Sequence, residues 1–62
     1  MKHKVGDLVS VLMDNVERIA LIIGTREVQH TGCIIFDYQI LFPGIIDPVW
    51  VFEDEIVRKY EI

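Results

Sequence analysis

In the stretch "CIIFDYQILF", Phe36, Tyr38, Ile40 and Phe42 occupy every second position, with Asp37 and Gln39 between them. Successive side chains of a strand point to opposite faces, so this spacing gathers three aromatic rings and an isoleucine on one face. A helix would instead scatter Asp37 and Gln39 among the aromatics. The chain is therefore expected to fold around strands, and the rest of the sequence reads the same way.

Upstream, "DLVSVLM" sets Val9, Val11 and Met13 against Ser10 and Leu12, between the turn residues Gly6-Asp7 and Asp14-Asn15. "VERIALIIGT" is rich in β-branched residues and reads as a second strand ending near Gly24. Its run Ile19 to Ile23 is apolar at every position, so periodicity does not say which of its faces is core. A turn at His30-Thr31-Gly32 leads into the aromatic strand. "PGIIDP" then makes a loop bracketed by Pro43 and Pro48, and "VWVF" makes a fourth strand. Glu53-Asp54-Glu55 interrupts, and "IVRKYEI" supplies a fifth, with Ile56, Arg58 and Tyr60 expected opposite Val57 and Lys59. Five short strands with tight connections point to a small, curved antiparallel barrel.

The order of these signals resembles the SH3-like barrel superfamily in its smallest form. The carrying residues are Val5-Gly6-Asp7-x-Val9, Tyr38-x-Ile40-x-Phe42, and Trp50-Val51 followed by Ile56. The resemblance spans nearly the whole chain and implies a 3₁₀ turn between the last two strands, where Phe52 to Ile56 fall. The six-residue Pro43–Pro48 loop departs from the tight turn that many relatives use there. In size and acidity the chain is similar to small stand-alone SH3-like β-barrel proteins of bacteriophages and bacteria. Because that fold hosts binders and enzyme subunits alike, the resemblance does not choose a function.

At 62 residues the chain forms one domain, residues 1–62, small enough to bury only about 60% of the surface it exposes when unfolded. Cys33 is the only cysteine, so no disulfide forms within the chain. Small domains then turn to a metal or to self-association. Apolar residues make up 52% of the sequence, more than so small a domain can hide, so apolar area is expected at the surface. Protein contacts follow from that excess. No apolar run approaches the ~20 residues of a membrane span, and "MKHKVGD" lacks the apolar stretch of a secretion signal. The expectation is a soluble, cytoplasmic protein, in the host's cytoplasm if phage-borne. The net charge of −4 and the scattered bases Lys2, Lys4, Arg18, Arg26, Arg58 and Lys59 argue against nucleic acid, whose binding needs clustered cations.

Chemistry-bearing clusters are sparse. His30-x-x-Cys33 has ligand spacing and His3 could add a third group, yet a structural zinc wants four ligands, so Glu27 or another subunit would have to complete it. The same Cys33–His30 pair lacks an orienting third group for thiol catalysis. The favoured reading is a turn histidine in solvent and a cysteine packed as a small hydrophobe. Glu53, Asp54 and Glu55 on one turn point in divergent directions, which suits a soluble edge better than an ion cup. No catalytic residue, metal or cofactor is expected, and the chain is not read as an enzyme.

The aromatics offer more. Trp50 and Phe52 share one face of their strand and Val49 and Val51 the other, so both faces are apolar. Only one can be core, and Trp is a frequent interface anchor. The expected contact patch is Trp50, Phe52 and the loop residues Ile45 and Ile46, serving a protein partner or a second copy in an oligomer. Two alternatives are a barrel that binds single-stranded nucleic acid, stacking bases on Tyr38 or Trp50 beside Arg58 and Lys59, and an accessory subunit of an enzyme complex. Proline-motif recognition is disfavoured because Asp14 to Arg18 is too short to wall a groove.

Overall fold

The computed structural model describes residues 3–60. Lys2, Glu61 and Ile62, which figured among the terminal bases and the last strand, lie outside the described residues. The elements are β1 (Leu8–Met13), β2 (Val16–His30), β3 (Cys33–Leu41), β4 (Val49–Phe52), a 3₁₀ turn (Glu53–Glu55) and β5 (Ile56–Lys59). All pairings are antiparallel, in one sheet of order β4-β3-β2-β1-β5.

That order places β4 and β5 at opposite edges, about 19 Å apart were the sheet flat. Yet the three residues of the 3₁₀ turn, about 6 Å of rise, join them. The sheet must therefore curl until its edges nearly meet. Asp14 (φ 52) and Asn15 (φ 62) close the first hairpin, and Thr31 (φ 43) with Gly32 (φ 79) close the second. Positive φ at both central residues matches the right-handed twist of the flanking strands. At the start, Gly6 (φ 97) lets the chain double back; its N–H donates to the Ile22 carbonyl, while the Ile22 N–H donates to the Asp7 carbonyl, both at 2.9 Å. The Asp7 carboxylate accepts the Lys4 N–H at 3.1 Å and sits 3.7 Å from Lys59 Nζ, tying both ends of the described chain together.

The core is one cluster: Val9, Val11, Ala20, Ile22, Tyr38, Ile40, Phe42, Val51 and Ile56, with Met13, Phe36 and Val49 packed against it. The alternation in β3 places its aromatics inside as expected. Ile56 closes the core after the acidic turn.

Three details depart from the sequence expectation. β2 does not end near Gly24 but runs on to His30, because a bulge between Ile22 and Gly24 absorbs the glycine without stopping the ladder. In β5 the register jumps so that Ile56 faces Val11 while Arg58 faces Ser10. This bulge puts Ile56 and Arg58 on opposite faces, not the same one. Finally, Cys33 does not pack as a small hydrophobe; it is exposed, because the outer end of the β2–β3 hairpin has no neighbouring strand to cover it.

Candidate functional site: an apolar outer face

Strand registry defines a second, outer face. Leu8, Leu21 and Leu41 lie side by side across β1, β2 and β3, and Ile19 stands opposite Ser10. Further along, Gly24, Gln39 and Trp50 align, as do Arg26, Asp37 and Phe52. The apolar run in β2 thus divides: Ala20 and Ile22 are buried, whereas Ile19, Leu21 and Ile23 are exposed. β4 divides in the same way, with Val51 buried, Val49 half-buried, and Trp50 and Phe52 facing out. Trp50 retains 40% of its surface.

Two ion clusters occupy the ends of this face. At one end the Arg26 guanidinium donates from Nε (3.1 Å) and Nη2 (3.0 Å) to Asp37 Oδ2. Its carbon lies 4.1 Å from the centre of the Trp50 ring, close enough for a cation–π contact. Asp37 is only 5% exposed although it sits on the outer face, since Arg26 and the neighbouring side chains cover it. Its Oδ1 is buried with no hydrogen-bond partner among the described residues. Gly24 has a steric role here: a Cβ at that position would lie 3.0 Å from Gln39 Oε1, so the glycine makes room for the Gln39 side chain.

At the other end, Glu17 Oε1 accepts from the Ser10 hydroxyl at 2.6 Å and from Arg58 Nη2 at 2.7 Å. Those two bonds, with Ser10 the larger influence, hold the Glu17 carboxyl below the ordinary value of 4.5. The four charges of these two clusters cancel in pairs.

Between the clusters lies a groove of about 440 Å³. Leu8, Ile19, Leu21 and Leu41 line it from the sheet, and Ile45 and Ile46 from the Pro43–Pro48 loop. Ile46, at 91% exposure, stands almost wholly in solvent. The loop holds this position through a tight turn in which the Ile45 N–H donates to the Phe42 carbonyl at 3.1 Å and Gly44 adopts φ 79. A second groove, at the free edge of β3, is lined by Ile34, Ile35, Phe36 and Phe52 with Glu53 and Asp54 at its rim.

The expected contact residues are therefore all exposed, but they are dispersed. Ile45 and Ile46 join the aliphatic groove, whose lining includes neither Trp50 nor Phe52. Phe52 lines the edge groove, and Trp50 lies against Arg26. Sequence reasoning missed Ile19, Leu21, Leu41 and Arg26. The signal for the first two was present, since a run that is apolar at both parities leaves two apolar faces. Arg26 became legible only with the β2–β3 register.

The other candidates resolve individually. Tyr38 is fully buried; its hydroxyl donates to Glu53 Oε1 at 2.8 Å and accepts the His3 N–H at 3.4 Å. No base can stack on that ring. Arg58 and Lys59 are engaged in ion pairs. Glu55 accepts the Phe52 N–H at 3.0 Å, so two of the three consecutive acids bond to separate groups while Asp54 points to solvent. His30 stands opposite Cys33 at the hairpin tip, and His3 packs edge-on against Tyr38, ring centres 5.4 Å apart. Among the described residues no three His, Cys, Asp or Glu side chains gather as a metal site, and no helix is long and apolar enough to cross a membrane.

Comparison with protein-family models, with curated proteins and with solved structures found no match for this chain.

Proposed function

We propose that the chain is a non-catalytic protein-docking module, an SH3-like barrel whose outer face is completed by another protein surface. One observation carries this reading: the outer face keeps Ile19, Leu21, Trp50 and Phe52 exposed, and the charges of its two ion clusters are paired with each other. An antiparallel sheet with one solvated face ordinarily alternates apolar-in with polar-out. Exposed apolar surface of this kind, rimmed by polar groups, is characteristic of interaction sites. Phage or bacterial origin, and a cytoplasmic location, fit the same picture of a small acidic assembly component.

The competing nucleic-acid reading loses its chemistry on this face. Arg26 occupies one side of the Trp50 ring, Tyr38 is inside, and the net charge is −4.

Co-purification from the native host, comparing the wild-type chain with Leu21→Glu, tests the proposal. A protein, of this sequence or another, that is retained by the wild type and lost by the variant supports docking through the outer face. Equal retention by both, or a salt-dependent gel shift with single-stranded oligonucleotide, overturns it.

A further inference from the structure

We infer that the aliphatic groove is covered by a second copy of this chain, related to the first by a twofold axis. This rests on the docking reading above and names its occupant. Three observations carry it.

The first is the balance of inside and outside. Among the described residues nine hydrophobic side chains form the core, whereas thirteen large ones are exposed. A chain of 62 residues with a single cysteine has no internal disulfide to offset so small a core. The described residues also gather no metal site. Association is among the devices that stabilise so small a core.

The second is shape. Ile46 projects from the rim of the very groove that it helps to line, so knob and hole belong to one patch. A twofold interface pairs a patch with itself: residue i meets j, and j meets i. Each copy's Ile46 then lies over the Leu8–Leu21–Leu41 row of the other, and each groove is filled by the element that lines its twin. An unrelated partner would have to supply both the matching knob and the matching hole.

The third is charge. Two copies at −4 repel each other, so a face without net charge is where they meet at the least electrostatic cost. No residue lining this groove is charged, and the ion clusters beside it are neutral in pairs. Such a face lets like-charged copies approach and offers nothing to steer an oppositely charged partner. A stable pair buries about 800 Å² per partner, roughly a sixth of the chain's 4584 Å² of surface.

Sedimentation equilibrium from micromolar to millimolar protein decides the matter, using the wild type, Leu21→Glu and Ile46→Asp. The wild type should approach twice the 7.2 kDa chain mass. Both variants should associate about tenfold more weakly or worse. Ile46 touches so little of its own chain that Ile46→Asp keeps its fold even if Leu21→Glu does not, and its result then stands alone. A wild type that stays at the chain mass, or a dimer that Ile46→Asp leaves unchanged, overturns the second-copy proposal. A monomeric wild type that still retains a different host protein through Leu21 leaves the docking reading standing. A monomer that retains nothing removes both.

Discussion

The inner and outer faces of this sheet are built from nearly the same residues. Inside, Val9, Val11, Ile22, Ile40 and Val51 meet one another across the curl and lose all or nearly all of their solvent contact. Outside, Leu12, Ile19, Leu21 and Trp50 are just as apolar and remain in water. On β2 the two fates alternate residue by residue through a single run. What separates them is the curvature: the sheet closes on its concave side, and among the described residues only the Pro43–Pro48 loop reaches the convex one. Hydrophobicity drives burial only where a second surface is within reach.

Substitutions can break that comparison, and the largest effect belongs inside. Ile40→Ala should remove about 2–5 kcal/mol, against a total of about 3–9 kcal/mol expected for a domain of this length. Urea unfolding should show a clearly lowered midpoint for the variant, or no folded baseline at all. Ile46→Asp, in dilute protein, should stay within about 0.5 kcal/mol of wild type. Comparable losses at both positions would mean that the two faces are energetically alike after all.

A smaller effect separates the two ion clusters of the outer face. Arg26→Ala leaves Asp37 buried without the cation that pairs with it, so we expect a loss of about 1–3 kcal/mol. The other guanidinium, in Arg58, is two-thirds exposed, and Arg58→Ala should cost about 1 kcal/mol or less. Arg26→Ala also uncovers the Trp50 ring, so its emission should shift to the red, whereas Arg58→Ala should leave the spectrum unchanged. Equal costs and an unmoved spectrum would contradict the Arg26–Trp50–Asp37 arrangement.

The smallest effect is on acid stability. Because Glu17 has a lowered folded-state value, its contribution is complete above the unfolded value near 4.5 and is lost as pH falls through the folded one. The gap in urea midpoint between wild type and Glu17→Gln should therefore be widest at neutral pH and narrow in acid. A gap that grows as pH falls would reverse the assignment.

Much of the architecture was legible in the sequence because period-two alternation is a local property. The aromatic strand and the two hairpin turns follow from neighbours a few residues apart, whereas the 3₁₀ turn is implied by the resemblance to SH3-like barrels. The bulges at Ile22–Gly24 and in β5 were not legible, because a register jump depends on the partner strand and leaves no mark on one strand's composition. The site was partly legible for the same reason. That Trp50 and Phe52 share a face is local; that Trp50 meets Arg26, while Ile46 lines a groove with Leu21, depends on long-range pairing.

Concentration-dependent thermal unfolding tests most directly whether the outer face is finished by another protein surface, and by a second copy in particular. When the native state is the associated one, the midpoint rises with protein concentration. The account predicts a rising midpoint for the wild type and a flat one for Ile46→Asp. A wild-type midpoint that stays constant from micromolar to millimolar protein would contradict it.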